Sequence, residues 1–168
     1  MTIVHKEHRF NSALIIGGTG MLAEASAYVA CNVRTTILAS RHPEKLAKEL
    51  HAVPLKLDWN VREPTIMVLR QNSNFDLIIS WLHEDGAWLI PYLETMLVDH
   101  GRLIRVLGSS SHEFDCRKNL PARQQYVSLG WINCADGRRW LTHSEISNAV
   151  IKAIKTPEQR HIIAGSLS

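Results

Sequence analysis

The chain has 168 residues, of which 45% are hydrophobic: enough for one substantial core, and too little chain for a second, substrate-binding domain. The formal net charge is +3, with Lys and Arg alternating with acids in no stripe, which argues against nucleic-acid binding. Cys31, Cys116 and Cys134 form no CxxC pair, the polar leader 1–11 lacks an apolar signal core, and no later run is long enough to span a membrane, so a cytoplasmic protein without bound metal is expected.

Short β-branched and Leu-rich runs alternate with segments of helical period. That pattern predicts an α/β, doubly wound, mostly parallel sheet covered by helices on both faces, in a single domain spanning 1–168. The first strand is expected at 12–17. The helix after it is expected over 20–31, with Leu22, Ala25 and Val29 facing the sheet. "TTILAS" reads as the second strand, and Pro43 opens the helix "PEKLAKEL" in the first turn, where proline is tolerated. The third strand is "AVPLKLD". Pro54 removes a backbone donor from it, which places it at a sheet edge, as the order 3-2-1-4-5-6 requires. A helix with Pro64 in its first turn leads to strand four, "FDLIISWL". The next helix, over 84–99, should be kinked or split by Pro91. Strand five is "GRLIRVLG". The polar stretch "SSSHEFDCRKNLPAR" has no amphipathic face, and "QYVSLGWIN" reads as strand six. "CADGRRW" reads as a turn at Asp136-Gly137 with a short returning arm. Thr142 and Glu145 form a capping box for a last helix whose apolar face carries Ile146, Ala149, Val150 and Ala153. "HIIAGSL" is a candidate seventh strand, giving six to seven strands in the order 3-2-1-4-5-6(-7).

The stretch "LIIGGTGMLA" breaks an apolar strand into three glycines and restarts as a helix. Gly18-x-Gly20-x-x-Ala23 fits GxGxxG/A, and Gly17-x-x-Gly20-x-x-Ala23 fits GxxGxxG/A. Glycines permit a sharp turn and close approach to a pyrophosphate, and the helix N-terminus offers unpaired N–H groups and partial positive charge. The position of the motif, after a strand and before a helix, supports a dinucleotide-binding Rossmann fold. The binding turn is then Gly17, Gly18, Thr19, Gly20, Met21 and Leu22. At the end of strand two stand Ser40 and Arg41, where an acid would hold the ribose of NAD. An Arg there suits the 2′-phosphate of NADP, so NADP(H) is favoured over NAD, although Arg41 also fits an exposed residue at a helix start. Asp58 is placed either to approach the adenine edge or to start the next helix.

With "GGTGMLA" after strand one, "ASR" after strand two, "LD" after strand three and "GSSS" after strand five, the chain resembles the short-chain dehydrogenase/reductase superfamily over most of its length. The resemblance implies a nicotinamide dinucleotide cofactor, contacts from Ser80, Trp81 and Gly108, and a catalytic Ser among Ser109, Ser110 and Ser111. It also implies a homodimer through the helices flanking strands four and five. The family's Asn-Ala-Gly run after strand four is replaced by "SWLHEDG". Its Tyr-x-x-x-Lys pair, which transfers the proton, is absent: the residues four beyond Tyr28, Tyr92 and Tyr126 are Asn32, Met96 and Gly130. The chain is also shorter than the family norm, which reduces the substrate-binding segment to "NCADGRRW".

Ligands in such sheets bind beyond the carboxyl ends of the strands. The candidates for chemistry there are His83, Ser109, Ser110, His112 and Tyr126, with Gly130 to Asn133 nearby. A His could act as general acid or base or be a surface or hydrogen-bonded loop residue, and a serine could orient a carbonyl, bind the nicotinamide ribose or cap a turn. Trp81, Trp88, Trp131 and Trp140 fit either an aromatic wall or core and dimer contacts. Three uses are therefore open: an atypical oxidoreductase acting on a small carbonyl or alcohol, a non-catalytic NADP(H) sensor, and an S-adenosylmethionine protein. Ser40-Arg41 argues against the third.

Overall fold

The computed structural model describes residues 9–108 and 120–167. In chain order the elements are β1 (Phe10–Ile16), α1 (Ala23–Asn32), β2 (Val33–Ser40), α2 (Glu44–Leu50), β3 (Val53–Lys56), α3 (Arg62–Arg70) and β4 (Phe75–Trp81). A 3-10 turn (Glu84–Leu89) then leads into α4 (Ile90–Thr95) and β5 (Leu97–Leu107). The chain ends with β6 (Gln124–Leu129), β7 (Trp131–Cys134), β8 (Gly137–Trp140), α5 (His143–Lys155) and β9 (His161–Ala164).

Seven strands form one parallel sheet in the order β3-β2-β1-β4-β5-β6-β9, and β7 and β8 form a separate antiparallel pair. This is the doubly wound Rossmann architecture, with the seventh strand joined beside the sixth. Alternate residues of the central strands serve two cores. Ala13, Ile15, Leu77, Ile79, Ile104, Val106 and Val127 pack with α1 and α5; Leu14, Ile16, Ile78 and Leu103 pack with α3 and α4. Each fully buried Leu or Ile contributes about 1.5–3 kcal/mol, and with both faces covered the central strands read as unbroken apolar runs.

The proline readings hold. Pro54 lies in β3 at the sheet edge, and Pro91 lies in the first turn of α4, dividing the expected long helix into a 3-10 turn and a short α-helix. The capping box holds too: Thr142 Oγ1 accepts from Glu145 N at 3.2 Å, and Thr142 N donates to Glu145 Oε2 at 2.8 Å.

Several boundaries differ from expectation. β1 begins at Phe10, inside the expected leader, and α1 begins at Ala23, because Gly20 to Leu22 remain in the turn. β5 begins at Leu97 instead of Gly101, with a register shift against β4 between Phe75 and Leu77. Gly101 there lies so close to the backbone that a Cβ would stand 2.7 Å from the Phe75 carbonyl oxygen. The expected sixth strand is two strands. Gly130 packs on the Ser166 backbone, where a Cβ has no room, and Trp131 bridges antiparallel to Ser166, so the chain leaves the sheet at that glycine. In the β7–β8 hairpin Cys134 pairs with Gly137, which puts the turn at Ala135-Asp136, one residue before the expected place. No helix among the described residues is long and apolar enough to cross a membrane.

Candidate functional site

The glycine turn joins the carboxyl end of β1 to α1, and its three glycines have different reasons to be there. Gly17 has φ +78°, donates its N–H to the Ala39 carbonyl at 3.0 Å, and lies against β4, where a Cβ would stand 2.6 Å from the Trp81 carbonyl oxygen. A Cβ on Gly18 would stand 2.6 Å from both Ile15 Cγ2 and Ser26 Oγ. The Ser26 hydroxyl in turn donates to the Gly18 carbonyl at 2.9 Å, fixing the turn from inside α1. Gly20 is different, because a Cβ there would have nothing within 4 Å. Two glycines are demanded by the protein's own packing, and the third borders open space at the N-terminus of a ten-residue helix. That space suits a pyrophosphate approaching backbone N–H groups.

α5 supports this helix end in a way that sequence reasoning missed. Ala25 N donates to Ser147 Oγ at 3.1 Å, and the same hydroxyl donates to the Met21 carbonyl at 3.1 Å. One turn nearer the start of α5, Ser144 Oγ donates to Glu24 Oε1 at 2.6 Å. Ser147 is fully buried. The only trace in the sequence is a serine on an otherwise apolar stripe, and that pattern is not specific. Ser147→Ala leaves a buried N–H and a carbonyl unpaired, and it should lower stability by about 1–3 kcal/mol, read as a fall in the denaturant midpoint.

At the end of β2, Ser40 is buried and its Oγ accepts from His42 N at 3.2 Å, shaping the step into α2. Arg41 follows and is exposed, with no hydrogen bond or ion pair to another described residue. Asp58 Oδ1 accepts from Asn60 N at 3.1 Å, and its carbonyl accepts from Thr65 Oγ1 at 2.6 Å, so Asp58 organises the approach to α3.

At the end of β4, Ser80 is buried within the strand. Trp81 is half-buried, with its backbone against Gly17 and its ring tip, Cη2, 4.0 Å from where a Cβ on Gly108 would stand. Trp81 thus meets the end of β1 through its backbone and the end of β5 through its ring. His83 is exposed and meets the Trp81 ring edge-on at 5.3 Å. Ser109, Ser110, Ser111 and His112 lie outside the described residues.

Tyr126 is not brought to this end of the sheet. It lies three residues before the end of β6, in register with Arg105, and is buried. Its hydroxyl donates to Gln124 Oε1 at 3.0 Å and accepts from Arg105 Nη1 at 3.3 Å. Its place near the start of β6, toward the amino edge of the sheet, keeps it from the mouth. Trp88 packs beside Tyr92 at 6.1 Å, and its Nε1 donates to the Trp59 carbonyl just beyond the end of β3.

Beyond β6 the hairpin carries a Trp131–Trp140 edge-to-face pair at 4.9 Å. Arg139 ties the hairpin to α5 through two bonds to Glu145, at 2.8 and 2.9 Å. The Arg139 guanidinium, with help from Thr142 N–H, holds the Glu145 carboxyl at about 2, below its ordinary 4.5. A depressed carboxyl supports the folded form above its ordinary value and loses that support as pH falls toward the lowered one. The stabilisation should thus be full above about pH 4.5 and decline below it, and the tie should open as pH falls through about 2, read as a Trp fluorescence change that Glu145→Gln abolishes.

The parallel sheet, its strand order and the glycine turn at the carboxyl ends define a Rossmann fold. No protein-family model matches the chain, and no curated protein matches it in sequence. Among solved structures it is similar to a short-chain dehydrogenase/reductase family protein (TM-score 0.70, 12% identity, covering 95% of this chain and 98% of that one). It is also similar to a short-chain glucose/ribitol dehydrogenase from Brucella melitensis (TM-score 0.64, 12% identity, 92% and 94% covered). A third similar structure is an NADH-dependent reductase solved with NAD (TM-score 0.63, 11% identity, 94% and 96% covered). The chain shares the overall fold of these structures.

Proposed function

We propose that this protein binds NADP(H) at the carboxyl edge of the sheet. The observation that carries this reading is the open space beside Gly20 in a turn whose other two glycines are locked by packing. The backbone from Gly17 to Leu22 would hold the pyrophosphate. Ser40 and Arg41 would meet the 2′-phosphate, Asp58 would face the adenine edge, and Trp81 and Gly108 would border the nicotinamide half. The bound dinucleotide supplies hydride transfer. In the oxidoreductase form of this proposal, Ser109 or Ser110 orients the oxygen of a small carbonyl or alcohol, and His83 or His112 supplies the proton. The homodimer implied by the family resemblance would use α3 and α4, where Met67 and Tyr92 are exposed.

A second reading is favoured by a specific observation. The tyrosine nearest in chain order to the family's catalytic one is buried in a hydrogen-bonded sheet position. A chain with a dinucleotide turn and no Tyr-Lys pair suits a non-catalytic module that reports NADP(H) level to a partner. Turnover separates the two. NADPH oxidation against a panel of small aldehydes and ketones, reduced at least tenfold by His83→Ala or His112→Ala, is expected of the enzyme. Tight NADPH binding with no oxidation of any panel member is expected of the sensor.

A further inference from the structure

Because the seven strands are parallel, their amino ends share one edge, opposite the glycine turn. On that edge, at the starts of β5, β6 and β9, lies a cavity of about 210 Å³ lined by Arg102, Arg123 and Arg160 together with His100 and Gln124. A second cavity of about 200 Å³ shares His100 and Arg102 with the first and adds Arg9.

The three guanidinium groups of the first cavity are held in place by neutral oxygens. Arg102 Nη1 donates to Gln125 Oε1 at 2.6 Å and to the Ala153 carbonyl at 3.0 Å. Arg123 donates to the Val98 and Glu94 carbonyls at 2.8 and 3.0 Å. Arg160 Nε donates to the Gln124 carbonyl at 2.8 Å. Carbonyl partners fix the planes of the guanidinium groups without neutralising their charge, unlike the carboxylate that Arg139 grips. Burial, with Arg9 nearby, lowers Arg102 to about 10, which leaves it charged at neutral pH.

Three nearby carboxylates interact with residues that line the cavity. Asp76 accepts from Asn11 N, Ser12 N and His100. Glu94 Oε1 accepts from Gln124 Nε2 at 2.8 Å, and Glu158 acts on Arg102 through space. Among the lining groups, Asp99 stands against three guanidinium groups. Preoriented guanidinium forks with spare N–H groups match the geometry of a phosphate.

We propose that this cavity is a second ligand site, taking inorganic phosphate or the phosphate of a small monoester. It shares no residue with the glycine turn, and it stands whether or not the dinucleotide reading does.

The test is titration of the intact protein with inorganic phosphate at constant ionic strength, followed by backbone amide NMR. Shifts at residues 122–125 and 158–160 are expected; shifts confined to 17–22, or none beyond those caused by matched chloride, overturn the proposal. Calorimetry on Gly20→Asp, which puts a carboxylate in the turn, should still show phosphate binding. Adding Arg123→Gln and Arg160→Gln should weaken that binding at least tenfold, and Arg123→Lys with Arg160→Lys should weaken it less. Unchanged affinity in the folded Gln pair would also remove the site. A parallel titration with glycerol phosphate separates the two sources: tighter binding than inorganic phosphate assigns the cavity to an ester, and equal binding assigns it to the free ion.

Discussion

Gly20→Asp is expected to weaken NADPH binding on the order of 100-fold while leaving the melting temperature unchanged, whereas Gly17→Ala and Gly18→Ala should lower stability before they touch binding. At Gly20 a Cβ enters open space, so the variant fits the fold and only a negative ligand meets the new carboxylate. Like charges brought together in a binding site cost several kcal/mol, and about 2.7 kcal/mol is 100-fold. At Gly17 the positive φ alone costs a non-glycine residue about 1–2 kcal/mol, and the new Cβ also meets the Trp81 carbonyl at 2.6 Å. At Gly18 the new Cβ meets Ile15 and Ser26, an overpacking that typically costs about 1–3 kcal/mol. Calorimetric titration with NADPH and a thermal melt of each variant give both readouts. If Gly20→Asp binds NADPH as the unsubstituted protein does, the turn is not a pyrophosphate site.

The sheet was legible because its signals are local and physical. Pro54 cannot donate in a ladder, so β3 had to be an edge strand, and that one residue agreed with the whole strand order. Pro91 ended one helical segment and began another for the same reason. The errors fall where a distant segment decides. Gly130 reads as a weak point in a strand, but the backbone of Ser166, far along the chain, is what turns the chain out of the sheet there. Leu97 to His100 join β5 through a register shift against β4 that no local pattern announces.

The site was legible to a similar degree. The glycines could be recognised as a binding turn, but their division into two packing positions and one open one depends on Trp81, Ile15 and Ser26. Ser147 was invisible because its partners, Ala25 and Met21, are more than a hundred residues earlier. Tyr126 was a candidate by chain order alone, and burial beside Arg105 and Gln124 removes it from the mouth.

Arg41→Asp should reverse the cofactor preference, with NADPH affinity falling about 30- to 100-fold and NADH affinity holding or rising. Ser40 fixes the step out of β2 through its bond to His42 N, and Arg41 stands beyond it in solvent with no described partner to hold it elsewhere. A guanidinium so placed is free to form charge-assisted bonds to a 2′-phosphate, worth roughly 1.5–3 kcal/mol. Removing it forfeits that gain, and an Asp in its place repels the phosphate while offering a carboxylate to the free 2′-hydroxyl of NADH. Because the side chain is exposed and makes no bond to another described residue, stability should change by less than about 0.5 kcal/mol, so lost binding would not reflect lost fold. The sign of the change matters more than its size. A uniform loss toward both cofactors would mean that Arg41 acts as a general positive charge near the turn. A loss confined to NADPH would place it at the 2′-phosphate, and an unchanged ratio would remove it from the site and leave Gly20 as the residue on which the binding proposal stands.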